Sequence, residues 1–186
     1  MTLPREMKLV RTSRGLEVHS QPVRELAALR RASLPIASGR IKGQTELVGS
    51  AFGKGGLLEF NVNLKLNDAH VVELTFKNGG KEATVFRINR GERRYELDRS
   101  ASGVVDFGHP FARLQTAPMP EGNDLVSVHA FLDHSSVEIF VNDGETIFTD
   151  LIFPHSPYDS LEVSADHEVE ILPGIAYALQ SIWPRP

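Results

Sequence analysis

Residues 125–153 read LVSVHAFLDHSSVEIFVNDGETIFTDLIF. Leu125 to Leu132 is apolar and rich in β-forming residues, and Asp133-His134-Ser135 turns the chain. Val137, Ile139 and Val141 then alternate with Glu138 and Phe140, the period of a strand with one buried face. Asn142-Asp143-Gly144 is a hairpin turn, because these residue types accept positive φ, and Thr146-Ile147-Phe148-Thr149 returns the chain. Pro154 ends the run, since it has no amide hydrogen to give a ladder. Successive strands joined by tight turns predict antiparallel pairing.

The same period extends upstream. Leu58, Phe60, Val62, Leu64 and Leu66 alternate with Glu59, Asn61, Asn63 and Lys65, and Val72, Leu74 and Phe76 alternate with Glu73 and Thr75. Asn78-Gly79-Gly80 turns into Thr84–Ile88, and Tyr95-Glu96-Leu97 follows. Downstream, Leu161–Val163, Val169–Ile171 and Ile175–Leu179 read as three more strands. About ten to twelve short strands without βαβ alternation predict an all-β chain, an antiparallel β-sandwich of two packed sheets, jelly-roll or concanavalin-like. The N-terminal part differs. Thr2–Val10 and Leu16–His19 read as short extended pieces around Arg14-Gly15, and Pro22 to Arg31 reads as a short linker helix.

Composition narrows the chemistry. The 186 residues carry 20 basic and 24 acidic side chains, a net charge of −4, which is no footprint for nucleic acid. No apolar run reaches the ~20 residues of a membrane-spanning helix, and Met1–Glu6 lacks the apolar core of a signal peptide. With no Cys there is no disulfide, no thiolate metal site and no Cys nucleophile. His129, Asp133 and His134, and likewise Asp166, His167 and Glu168, lack the spacing of a metal site. Gly53-Lys54-Gly55-Gly56 reads as a hairpin loop, since no helix follows to complete a phosphate cradle. Neither cofactor nor metal is implied.

Sugar hydrolysis needs two carboxylates, one with a raised pKa in an enclosed pocket. Asp133, Glu138, Asp143, Glu145 and Asp150 crowd one window, but Asp133 and Asp143 have turn roles and Glu138 falls on the solvent-side phase of its strand. These read as solvated groups, so no catalytic residue is assigned. Tyr95, Tyr158, Tyr177 and Trp183 are too scattered to form an evident sugar-stacking platform.

Leu132–Glu145 followed by Phe153-Pro154 resembles a segment of the C-terminal β-sandwich of glycoside hydrolase family 32, which contains invertases, levanases, inulinases and sucrose-6-phosphate hydrolases. Tyr95–Gly103 resembles a second stretch of that module. Met1–Glu6 and Gln21–Leu26 resemble the junction where the family's catalytic propeller gives way to the sandwich. The resemblance implies a junction segment and linker helix over residues 1–36 and a sandwich over 37–186.

The family's catalytic acids lie in Asn-Asp-Pro-Asn-Gly, Arg-Asp-Pro and Glu-Cys motifs of the propeller. None of these occurs here, and Asn142-Asp143-Gly144 shares only two letters with the first. The resemblance therefore implies a non-catalytic module that supports the stability, packing or oligomerisation of a retaining β-fructofuranosidase acting on sucrose or levan. Its implied partner is the five-bladed propeller, with self-association and glycan binding as further expectations. A freestanding glycan-binding sandwich is the competing reading. Arg5, Tyr95, Arg99 and Trp183 are the candidate inter-domain or glycan contacts. An uncovered apolar patch with a free strand edge is also expected, met either by self-association or by folding the N-terminal segment back.

Overall fold

The computed structural model describes residues 2–108, 111–122 and 124–182. Among them, β1 (Arg5–Thr12) and β2 (Gly15–Pro22) form a two-stranded ribbon of their own. The other strands are β3 (Arg30–Ile36), β4 (Gly39–Val48), β5 (Leu58–Lys65), β6 (Val71–Lys77), β7 (Ala83–Asn89) and β8 (Arg94–Ala101). They continue with β9 (Gln115–Pro118), β10 (Leu125–Asp133), β11 (Ser136–Val141), β12 (Thr146–Leu151) and β13 (Ser160–Leu179). These eleven join in one continuous antiparallel network.

The network doubles over at β13. Ser160–Ala165 pairs with β6, whereas Glu170–Ala178 pairs with β5. One layer thus runs β12-β11-β10-β5-β13 and the other β13-β6-β7-β8-β9. β3 and β4 complete the far edge of β13. Register shifts at Ala165/Val169 and Leu172/Ile175 bend this strand from one layer into the other, as bulges do. The three strands expected from the sequence after residue 160 are therefore one strand of 20 residues. Its bulges reset the alternation and make it read as broken.

Inward side chains fill the space between the layers. Phe60 and Val62 on β5, Val128 on β10 and Ile139 on β11 meet Leu74 and Phe76 on β6, Phe86 on β7 and Val163 on β13 in one buried cluster. Ring pairs cross the gap: Phe60 lies 5.4 Å from Phe76, and Phe86 lies 5.6 Å from Phe148 of β12. The all-β sandwich follows from the period-two pattern that puts these side chains on one face.

The linker helix is shorter than the sequence suggests. Pro22 closes β2, only Arg24–Leu29 is helical, as a 3₁₀ turn, and Arg30 already opens β3. Val23 at the N-cap supplies no capping hydrogen bond, and pairing of β3 with β13 claims the rest. Ser50–Gly53 adds one helical turn, α1, and the Gly53–Gly56 stretch expected as a hairpin loop instead links β4 and β5, which pair with β13 and not with each other. A Cβ on Gly53 would lie 1.8 Å from the Asp159 carbonyl oxygen, so this glycine is there for close packing.

Candidate functional site

The outer face of the β5–β12 layer departs from the solvated face that alternation predicts. Cross-strand register sets Tyr177, Glu59, Phe131, Glu138 and Thr149 in one row over β13, β5, β10, β11 and β12. Glu59 is 2% exposed and Glu138 3% exposed, although both have the outward phase. Residues from the N-terminal part cover them. Arg30 makes a two-pronged pair with Glu59, Nε to Oε2 at 2.7 Å and Nη2 to Oε1 at 2.6 Å, while its guanidinium lies 4.1 Å from the Tyr177 ring centre. His129 Nε2 sits 2.9 Å from Glu59 Oε1. Arg5 pairs with Glu138, reaches Thr149 Oγ1 at 2.5 Å and lies 5.2 Å from the Phe140 ring centre. The Leu3 amide donates to Glu138 Oε1 at 2.6 Å.

This row decides the chemistry. Two carboxylates two strands apart, on the order of 10 Å by strand spacing, fall near the separation used for inverting sugar hydrolysis. Here Phe131 stands between them and each is sealed by its own arginine. Burial resists ionisation of Glu59, but hydrogen bonds from Arg30 and His129 outweigh it and hold the carboxyl below its ordinary 4.5. A general acid needs the opposite shift. The row is a structural seal.

The β11–β12 turn holds the ribbon. Asn142, Asp143 and Gly144 all have positive φ, 48°, 57° and 79°. Ser20 N donates to Gly144 O at 3.1 Å, and Gln21 Nε2 donates to Asp143 Oδ1 at 3.1 Å. Arg14 pairs with Glu145 and with Glu17. A Cβ on Gly144 would meet Ser20 O at 2.0 Å. The β10–β12 meander is thus also the clamp for residues 3–21.

Of the candidate contact residues, Arg5 is the anchor just described. Tyr95 is fully buried, stacked on Phe86 at 6.0 Å, and its hydroxyl accepts from Asn142 Nδ2 at 3.3 Å. It braces the clamp turn from inside and shows no surface to a partner. Arg99 of β8 crosses to Asp150 of β12 at 3.3 Å, donates to Leu151 O at 2.8 Å and lies 4.2 Å from the Phe111 ring centre. Gln115 also donates to Asp150. Burial outweighs both partners and pushes the Asp150 carboxyl above its ordinary 3.8. Trp183 lies outside the described residues. Arg30, Glu59 and His129 are not among the candidates, and nothing in the alternating strand sets Glu59 apart from Asn61, Asn63 and Lys65.

Elsewhere the histidines serve local contacts. His134 Nε2 lies 3.0 Å from Gly55 O, and His167 lies 3.4 Å from Asp166. Among the described residues no three His, Asp or Glu converge as metal ligands. Two shallow hollows are lined by turn residues, one of about 410 Å³ at Asn78–Glu82 and His155, the other of about 220 Å³ at Arg90, Arg93 and Met119–Gly122.

The family profile described as "Glycosyl hydrolases family 32 C terminal" matches residues 25–177. A levanase of Bacillus sp. (strain L7) is 33% identical over 190 residues, covering 98% of this chain and 20% of that protein. A levanase of Bacillus subtilis (strain 168) is 31% identical over 186 residues, covering 98% of this chain and 27% of that protein. The chain thus spans between a fifth and about a quarter of these relatives. The solved exo-inulinase of Aspergillus awamori superposes with a TM-score of 0.81 at 23% identity, over 98% of this chain and 36% of that one, a likeness of fold.

Proposed function

This chain belongs to the family of glycosyl hydrolases family 32 C-terminal domains, and we propose that it serves as the non-catalytic companion of a unit that hydrolyses β-fructofuranosides such as sucrose or levan with retention. The observation that carries this reading is the sealed row: Glu59 and Glu138 are each closed by an arginine, with Phe131 between them. The names of the levanase relatives support the substrate class. The companion's work is stability and packing, and its partner is a five-bladed catalytic propeller. Residues 1–29 form the junction toward that partner; Arg30–Ile36, expected in the junction, belong instead to the sandwich, because β3 pairs with β13. Arg5, through the segment it anchors, and Trp183 are the contacts assigned to the junction.

The chain alone, assayed with sucrose and levan at high protein concentration, is expected to release no fructose. Release that disappears in Glu59→Gln or Glu138→Gln would overturn the reading. A second reading, glycan binding, draws on the exposed Phe107 ring, 5.0 Å from Phe153, with Arg99 over the neighbouring Phe111. It requires calorimetric binding of levan oligosaccharides that weakens in Arg99→Ala. The companion proposal also includes association between copies of the chain.

A further inference from the structure

Asn78-Gly79 stands in the turn between β6 and β7, and no other asparagine in the chain is followed by glycine. The side-chain carbonyl carbon of an asparagine is open to attack by the backbone nitrogen of the next residue. Glycine, having no Cβ, obstructs that attack least. The sequence thus carries one dipeptide prone to close into a succinimide, and the fold holds it back.

Asn78 is 6% exposed, and its side chain is fully engaged. Oδ1 accepts from Gly80 N at 2.9 Å, while Nδ2 donates to Glu82 Oε2 and to Ser156 O, each at 2.7 Å. Both hydrogens of the amide are thereby used. Glu82 in turn accepts from the His155 amide, at 3.1 Å on Oε1 and 3.0 Å on Oε2, and its Oε1 lies 2.5 Å from His155 Nδ1. One side chain therefore ties the β6–β7 turn to residues 154–159, the crossover from β12 in one layer to the part of β13 that pairs with β6 in the other. Asp159 N, donating to Lys77 O at 3.0 Å, continues the same seam.

The seam depends on a donor. Nδ2 lies between a carboxylate and a carbonyl, two groups that only accept. Ring closure makes Cγ tetrahedral and expels Nδ2, so it proceeds only after both of these bonds are given up.

We propose that Asn78 is a site of spontaneous deamidation, gated by its bonds to Glu82 and Ser156, and that the modification unfastens the crossover for good. The Gly79 nitrogen bonds to Cγ as the Cγ–Nδ2 bond breaks, and ammonia leaves with the proton that the nitrogen gives up. Water then opens the ring at either carbonyl, giving aspartate or a β-linked aspartate whose main chain is one carbon longer. Water is the only co-reactant. Both products set a carboxylate against Glu82 and the Ser156 carbonyl, where like charges and facing acceptors repel.

Peptide mapping by mass spectrometry tests this on the full 186-residue chain held in mildly alkaline buffer. In urea, Asn78 should be the first asparagine to convert. In the folded chain it should convert about tenfold more slowly, since charge-assisted hydrogen bonds must first be broken. Glu82→Ala removes one acceptor and frees His155, and should recover about tenfold in the folded state. Gly79→Ala is the control: its methyl meets open space, yet conversion should slow in both states. Asn78→Asp supplies one product directly, and hydrogen exchange should quicken at the His155 and Asp159 amides while β5 and β10 stay protected. Far-ultraviolet circular dichroism checks that the variants keep the sandwich. Equal rates in the folded and urea-unfolded chain, a comparison that needs no variant, overturn the gating. A folded Glu82→Ala that converts no faster than the parent does the same. His155 and Asp159 amides as well protected in Asn78→Asp as in the parent overturn the unfastening.

Discussion

Arg5 and Glu138, 133 residues apart in sequence, form an ion pair on the outside of a sheet, yet the carboxylate is almost wholly buried. What buries it is the segment that Arg5 belongs to. The Leu3 amide takes the other carboxylate oxygen, and Arg5 also reaches Thr149 and the Phe140 ring. A single acid on β11 therefore holds down the whole approach to the ribbon.

Arg5→Ala should cost about 2–3 kcal/mol, less than a fully buried pair because the guanidinium is about one-fifth exposed. Urea unfolding reads the cost. Hydrogen exchange should show faster exchange across Arg5–Pro22 with β5, β6 and β13 still protected. Equal loss of protection everywhere would mean that the pair supports the sandwich rather than the ribbon.

Gly144→Ala should release β2 from the clamp turn. The new methyl would collide with the Ser20 carbonyl oxygen, and φ of +79° is itself unfavourable for alanine. A loss of about 1–3 kcal/mol is expected, with the Ser20 amide among the first to lose protection. Gly122→Ala, also at positive φ but in open space, is the matched control.

Acid should weaken the fold through specific carboxylates. Desolvation opposes ionisation of Glu59, Glu96, Asp166 and Glu82, but in each case hydrogen bonds prevail and the folded-state pKa is lowered, to about 2 for Glu82. A lowered folded value means stability that is full above the unfolded pKa and lost as pH falls through the folded one. Melting temperature should therefore drop from about pH 4.5 toward pH 2. The drop should be shallower in Glu59→Gln, and an unchanged slope would remove Glu59 from the account.

Asp150 has the opposite sign. Burial raises its folded value above 3.8, with Arg99 and Gln115 pulling back less strongly. Its contribution is full at low pH and declines as pH rises through the raised value. Carboxyl NMR should find its midpoint above that of an ordinary aspartate. In Arg99→Ala the midpoint should rise further, because the favourable charge is gone. A fall would show that Arg99 is not its main counter-charge.

The strands that carry the core were legible because Leu58–Leu66, Val72–Phe76 and Val137–Val141 alternate cleanly, and alternation reports which face is apolar. It cannot report what lies on the other face. Glu59 and Glu138 look solvated in sequence because their covers, Arg30 and Arg5, come from 29 and 133 residues away. The helix expected over Pro22–Arg31 shrank for a similar reason: β13 draws Arg30–Ile36 into the sheet, a demand invisible locally. Tyr95 lies in a family-like stretch that suggests a contact residue, whereas its strand phase points it into the core. The clamp role of Asn142–Glu145 was hidden because turn propensity already explained those residues.

The doubling at β13 also governs the order of assembly during synthesis. Both β5 and β6 hydrogen-bond to a strand made only after residue 160, so the two layers have no shared strand to join them until then. A nascent chain ending before that point carries two raw sheet edges beside unburied Phe60 and Phe76. Chaperones that shield such edges, or a slow ribosome just past β12, would change the yield of this protein without altering its finished stability.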